Sequence, residues 1–352
     1  MNYTSPPSSC QREYVANPLR YAHGAWRQVG KSGLKINPIT IGTWQNFSDL
    51  DPRESVRELY LTAFDNGIFT FDFGNNYGRP PGSAEALFGS FIARELRPYR
   101  NELVISTKAG YDMWPGPNGV GSSLKYLISS LDDSLKRLGL DYVDIFYSHR
   151  YDPATPIEET AEALDLARRS GRCLYVGISS YPVAAASAIT EALEKRGTPV
   201  IINQSHYNLL CRWVEPDLLA LSQKHGTGFA AFSPLAQGLL SNKYAPGGCG
   251  TGRATQANSS AYCNDWEKLR SALSGLNRIA ARRGQTISQL ALSWVLHRPE
   301  ICTAVIGVRT PQQILENIKV DTTFSDEEEK EIATLCSGID VDLWKESRIA
   351  TE

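Results

Sequence analysis

The chain has 352 residues, 42% of them hydrophobic and 21% charged, which suits one large globular domain or two smaller ones. A formal net charge of −2 excludes a bulk attraction to nucleic acid or to an anionic membrane, and no run of about 18 apolar residues is present to span a bilayer. The seven Cys form no CxxC pair and the five His no HxxxH spacing, so a metal site is not expected, and the thiols read as reduced, in a cytoplasmic protein.

Residues 1–22 read as a flexible leader. The first eleven are polar and rich in Pro and Ser, without the apolar centre of a signal peptide. Residues 23–352 read as a single domain. Trp26 to Ile36 alternates around Gly30-Lys31-Ser32-Gly33, the pattern of a hairpin. That Gly-Lys-Ser is no phosphate loop, because the upstream glycine of GxxxxGK[ST] is missing: position 25 is Ala.

A strand–helix unit then repeats. Strands are expected at 39–42, 69–73, 103–108, 142–148, 174–179, 200–203, 228–232 and 303–307. The helices between them are expected near 55–66, 84–94, 124–137, 156–170, 183–196, 214–224, 265–283 with 288–297, and 311–319. The strands are short, Val/Ile-rich and apolar on both sides, as parallel strands buried on both faces should be. Gly67, Gly139, Gly171, Gly197, Gly226 and Gly284 stand where helices need a left-handed C-cap. Eight such units over roughly 250 residues predict a (β/α)8 TIM barrel. The rival doubly wound sheet usually carries GxGxxG after its first strand; here that turn is Gly42-Thr43-Trp44-Gln45. An acidic tail, 324–352, is helical in pattern and then loose, and is expected to fold over the barrel. The Gly/Ser-rich stretch 244–264 reads as a lid or crossing loop, since no helix pattern follows its glycines.

Three consecutive strands deliver ionisable groups at one end: Asp72, Lys108 and His149. Tyr77 lies five positions beyond Asp72. In a parallel barrel that end carries the active site. A phenol titrating near ~10 is a poor acid at neutral pH. An adjacent ammonium favours the phenolate, and a carboxylate keeps that ammonium charged and in place. Tyr77, Lys108 and Asp72 can form such a set, and His149 can donate to an oxygen bound beside them. Taken singly, each has a bland reading: a structural ion pair, a half-buried Tyr, a satisfied core His. Four together on successive strand ends point to polarisation and protonation of a carbonyl. A Schiff-base reading of Lys108 would need a pKa lowered by an apolar pocket or a cation, and Asp72 acts in the opposite sense.

The residues Gly42-Thr43-Trp44, Asp72 with Tyr77, Ser106-Thr107-Lys108, Ser148-His149-Arg150, Gly177-Ile178-Ser179, Gln204 and Phe232-Ser233-Pro234-Leu235 together resemble the aldo-keto reductases, over about residues 14–344. The stretches Asn75 to Gly78, Pro80 to Glu85, Ser106 to Pro117 and Asp144 to Arg150 are most similar to the bacterial L-glyceraldehyde 3-phosphate reductase branch, which reduces short aldehydes, methylglyoxal included. The resemblance implies a barrel that binds NADPH without a Rossmann fold, with Asp72, Tyr77, Lys108 and His149 as the catalytic tetrad.

By the same resemblance, Thr43, Trp44 and Asp72 border the cofactor, and Phe232 stacks on its nicotinamide. Ser179 and Gln204 bind the carboxamide. Ser233, Pro234, Leu235, Gln237 and Gly238 line the pyrophosphate, and Lys243 meets the phosphates. Gly307, Arg309, Gln313, Glu316 and Asn317 take the adenosine end, with Arg309 on the 2′-phosphate. Trp44, Arg79, Tyr111, Trp114 and Arg150 flank the tetrad and can shape a pocket for a small polar or phosphorylated aldehyde. A homo-oligomer is expected by analogy. The potassium-channel β-subunit branch shares the barrel and retains cofactor, but has Asn where this chain has His149, which favours an enzyme over a regulatory subunit.

Overall fold

A computed structural model describes residues 14–22, 24–242 and 265–347. A small antiparallel hairpin, β1 (Arg27–Gln28) and β2 (Lys35–Ile36), precedes eight parallel strands. These are β3 (Ile39–Gly42), β4 (Thr70–Asp72), β5 (Val104–Ala109), β6 (Val143–Ser148), β7 (Cys173–Ser179), β8 (Val200–His206), β9 (Gly228–Phe232) and β10 (Ile301–Ile306). They pair in sequence order, and β10 closes on β3, so the expected (β/α)8 barrel is the observed one.

The helices are α1 (Arg53–Asp65), α2 (Ser83–Phe91), α3 (Leu124–Leu138), α4 (Ile157–Arg169), α5 (Val183–Lys195), α6 (Leu218–His225), α7 (Trp266–Arg282), α8 (Ile287–His297), α9 (Pro311–Asn317) and α10 (Asp326–Cys336). The six expected capping glycines all have positive φ, from 65° to 82°. Helix α6 starts four residues later than its apolar pattern suggested. Pro216 excludes helical geometry from the residue before it, so the first turn forms after Asp217.

Two cores result. The larger lies between strands and helices. The smaller fills the barrel, with Val104, Ile145, Tyr147, Ile202 and Val305 stacked inside, and Val29 and Ile36 of the hairpin plugging the lower end. The described part of the leader is not loose. Tyr14 donates to Asp65 at 2.8 Å, the Ala16 N–H donates to Tyr99 at 3.0 Å, and Arg20 pairs with Glu102 at 2.6 Å. Residues 14–22 are thus tied to the barrel surface, because they bring an aromatic ring and a guanidinium to a carboxylate-bearing face. At the other end of the chain, α10 packs on α7, the Val341 N–H donates to Leu210 O at 2.8 Å, and Trp344 reaches the barrel mouth.

Tyr147 occupies the barrel interior only because β7 carries a glycine beside it. A Cβ on Gly177 would stand 2.5 Å from Tyr147 Cε1 and 2.9 Å from Ile202 Cγ2. Gly177→Ala is therefore expected to lower stability by about 1–3 kcal/mol through overpacking. Urea unfolding checks this: the midpoint should fall with an unchanged slope. A shift under about 0.5 kcal/mol would mean that the ring steps aside freely.

Candidate active site

Period-two alternation along β5 turns Val104, Ser106 and Lys108 toward the barrel axis. Parallel register sets Asp72 beside Ser106, and Lys108 beside Tyr147. The Lys108 side chain is 0% exposed, and its Nζ donates to Asp72 Oδ2 at 2.5 Å and to Phe73 O at 2.7 Å. The other oxygen, Asp72 Oδ1, accepts from Ser106 Oγ at 2.6 Å and Gln204 Nε2 at 3.3 Å. Burial pulls the Lys108 ammonium below its usual range, and Asp72 opposes that shift.

The loop after β4 folds Tyr77 back over this pair. A Cβ on Gly74 would lie 2.8 Å from the Tyr77 ring, so only glycine permits the approach. Lys108 Nζ stands 5.2 Å from the Tyr77 ring centroid, and the hydroxyl lies 3.3 Å from His149 Nε2. The four expected residues therefore form one cluster. Their electrostatics differ from the sequence expectation in one respect: the phenol is pushed well above its ordinary value, first by burial, then by the charge of Asp72 and the neighbouring Tyr111. Asp72 offsets the ammonium's field, leaving desolvation dominant. His149 is pushed well below its ordinary value by burial and by Lys108 and Arg150, so it is a neutral imidazole near pH 7.

Tyr77 and His149 open onto a cavity of about 780 Å³. Its walls hold most of the expected cofactor positions: Trp44, Asp72, Ser179, Gln204, the segment Phe232 to Leu235, Gln237, Gly238, Gly307, Arg309, Gln313, Glu316 and Asn317. Phe232 is half-buried, with His206 stacked on it at 5.5 Å and 21°. Arg309 is exposed, and its backbone N–H donates to Gln313 Oε1 at 2.8 Å. Thr43 is not on the wall: it is buried, with its hydroxyl on Asp72 O. Lys243 lies outside the described residues, as does the 244–264 loop.

The pocket-shaping set divides. Trp44 and Tyr111 line the cavity, but Arg79, Trp114 and Arg150 do not. Arg79 points to solvent, and Trp114 packs on Tyr126 at 5.2 Å between centroids. Arg150 donates to Gly110 O at 3.2 Å and lies 4.5 Å over the Tyr111 ring. It supports Tyr111 from behind, because the chain turns away from the mouth immediately after His149.

Sequence reasoning missed Asn46, Ser180, Trp344 and Ser347 on the wall. Trp344 packs on Phe232 at 5.2 Å and on Trp44 at 6.0 Å, and Ser347 accepts from Tyr111 at 3.1 Å. An isolated Trp in an acidic tail was the available signal. The backbone gives another. Among the described residues, the non-glycine positions with positive φ are Asn46, Ser180, Ser233, Ala236 and Gln237, and all but Ala236 line the cavity. Left-handed conformations cost of order 1–3 kcal/mol each and gather at functional sites.

Comparison with known proteins agrees with this geometry. The model of the Aldo/keto reductase family matches residues 38–336. L-glyceraldehyde 3-phosphate reductase of Escherichia coli K12 is 46% identical over 341 residues, covering 95% of this chain and 99% of that protein; the O157:H7 protein of the same name matches equally. A probable voltage-gated potassium channel subunit beta of Arabidopsis thaliana is 36% identical over 313 residues, covering 84% of this chain and 90% of that protein. With a closed eight-stranded barrel, the four-residue cluster at its mouth and these matches along almost its whole length, the chain belongs to the aldo-keto reductase family.

Proposed function

We propose that this reductase converts short aldehydes to alcohols with NADPH, using Tyr77 as the proton donor. L-Glyceraldehyde 3-phosphate and methylglyoxal-like carbonyls are the substrate class. The observation that carries the reading is the Tyr77 hydroxyl, 3.3 Å from a neutral His149 and packed against Lys108, at the floor of a cavity walled by Phe232 and Arg309. The wall fits a nicotinamide dinucleotide: a flat ring, amide and hydroxyl groups, a strained glycine-bearing loop and an exposed guanidinium. Phe232 would hold the nicotinamide, Ser179 and Gln204 its carboxamide, Ser233 to Gly238 the pyrophosphate, and Arg309 the 2′-phosphate. Gln204 Nε2 already serves Asp72, so its amide oxygen is the group it would offer.

Bound NADPH supplies the hydride that reduces the carbonyl carbon. The chain's own residues do the rest. Tyr77 and His149 hold the carbonyl oxygen between two hydrogen-bonding groups, which polarises the C=O bond. The Tyr77 hydroxyl then gives its proton to the developing alkoxide. Lys108, fixed by Asp72, places an ammonium beneath the resulting phenolate and stabilises it. The rings of Trp44, Tyr111 and Trp344 line the cavity and would limit water at the reacting centre once cofactor and substrate are bound.

Tyr77→Phe removes one oxygen and should leave folding and cofactor affinity intact while lowering single-turnover NADPH oxidation by at least ~10²–10⁴-fold. Lys108→Met should lose a similar amount and also destabilise the fold, because Asp72 is then buried without its partner. Near-normal hydride transfer in cofactor-saturated Tyr77→Phe would overturn the mechanism and favour a cofactor-retaining binding protein.

The pH dependence has a definite sign. Reduction needs the protonated phenol, and Tyr77 is raised above its ordinary ~10. The single-turnover rate should therefore stay flat over about pH 6–9 rather than fall with rising pH. A descending limb centred near pH 7, absent in Tyr77→Phe, would contradict this assignment.

Cofactor choice is separable. Arg309→Ala should weaken NADPH binding about 10-fold or more, as expected for losing a charge-assisted contact of ~1.5–3 kcal/mol, and leave NADH binding nearly unchanged. Equal losses for both in a fluorescence titration would remove Arg309 from the phosphate site.

A further inference from the structure

Side chains from two remote stretches meet beside the cavity without lining it: His206 at the end of β8 and Cys211 in the turn that follows, and Asp342 in the C-terminal tail. The imidazole nitrogen, thiol sulfur and carboxylate oxygen they present all lie within 4.8 Å of one another. His206 Nδ1 is 3.3 Å from Asp342 Oδ1. Their side chains are almost wholly out of water, with His206 and Asp342 2% and 3% exposed and Cys211 fully buried.

The backbone around them is fixed from both sides. Asn208 and Cys211 exchange N–H···O=C bonds at 3.1 Å each, Trp213 Nε1 donates to His206 O at 2.9 Å, and Val341 N donates to Leu210 O at 2.8 Å. Each donor group therefore sits on, or next to, a residue whose main chain is already pinned.

The geometry points to a divalent transition-metal site here, of the chemical class that Zn²⁺ fills, with His206, Cys211 and Asp342 as protein ligands. The donor set selects the ion. A thiolate and an imidazole disfavour Mg²⁺ and Ca²⁺, which take oxygen ligands, and a carboxylate disfavours Cu(I). Zn²⁺ accepts all three at about 2.0–2.3 Å in tetrahedral geometry, which places ligand atoms roughly 3.3–3.8 Å apart. The three groups must close inward by only about 1 Å. A fourth position remains for water.

Binding at Nδ1 requires the Cys211 thiolate and a neutral His206 whose one proton sits on Nε2, so the thiol proton is released. Asn208 Nδ2 lies 3.1 Å from His206 Nε2 and 3.0 Å from Ser233 O. With the metal on Nδ1, the amide must turn its oxygen to Nε2–H, the usual outer contact of a metal-bound histidine, and give up the Ser233 bond. That is the chief cost of binding. The gain is a clamp on the tail: Asp342 Oδ1 also accepts from Trp344 N at 3.3 Å, and Trp344 covers Phe232.

The test uses the full chain, expressed with added zinc and purified without chelator. Elemental analysis should find about one zinc per chain, and chelator treatment should lower the thermal midpoint. Titrating the metal-free protein with Co²⁺ should give a near-ultraviolet thiolate-to-cobalt band, reduced to under about a tenth in Cys211→Ser and in Asp342→Asn. Less than about 0.1 zinc per chain together with no cobalt band in the wild-type protein overturns the site and leaves a metal-free His206–Asp342 pair. So does a band, or one equivalent of zinc, that persists in Cys211→Ser. The readout needs no catalysis, so its failure is distinct from failure of the reductase reading. Should Cys211→Ser not fold, the wild-type stoichiometry and Asp342→Asn, on the tail, still decide.

Discussion

The Lys108 ammonium and the Asp72 carboxylate are held out of water at 2.5 Å, and the mouth of the barrel is arranged around that pair. Desolvating two such charges costs several kcal/mol per ion, and their attraction offsets this only when the remaining donors and acceptors are satisfied. Here Phe73 O takes a second Lys108 proton, while Ser106 and Gln204 serve the second Asp72 oxygen. Phe73 and Ser106 belong to the two stretches that carry the pair, and Gln204 comes from β8 across the barrel, so closure of the sheet and satisfaction of the pair depend on one another. Removing one partner of such a pair typically costs about 3–5 kcal/mol, which makes it a poor place for variation and a rigid base for the phenol above it.

Stability and strain are divided between the two ends of the molecule. The lower end is plugged by Val29 and Ile36 within the interior core, and residues 14–22 are tied down by Tyr14 and Arg20. The upper end carries the left-handed non-glycine residues and a wall borrowed from the C-terminal tail. This is the arrangement a barrel enzyme needs. Apolar layers below supply the folding energy, and loops above spend a little of it on groups aimed into the cavity. No helix among the described residues is long and apolar enough to cross a membrane.

The barrel was readable from the chain because its signals are local and repeat: apolar strands, amphipathic helices and capping glycines. The clustering at the mouth was readable because strand ends in a parallel barrel converge, so Asp72, Lys108 and His149 had to share one end once the strands were placed. Side-chain direction was not readable. Arg150 follows His149 immediately yet turns behind Tyr111, and Trp114 packs on Tyr126 rather than on the cavity. The start of α6 moved because one proline outweighed an apolar pattern.

By itself the sequence determined the strand–helix alternation and the residue types at the strand ends, since each follows from local periodicity, while the aromatic, amide and guanidinium positions expected at a dinucleotide were what the family resemblance implied. Tertiary structure decided the rest. It brought Trp344 and Ser347 across the mouth from the far end of the chain, and pressed Tyr77 onto Lys108 through the space left by Gly74. It raised the phenol's pKa by burial where the neighbouring ammonium alone would have lowered it. It also assembled His206, Cys211 and Asp342 from positions with no ligand spacing. The physical reason is common to all four: desolvation, close approach and convergence depend on distances between segments that chain closure alone sets.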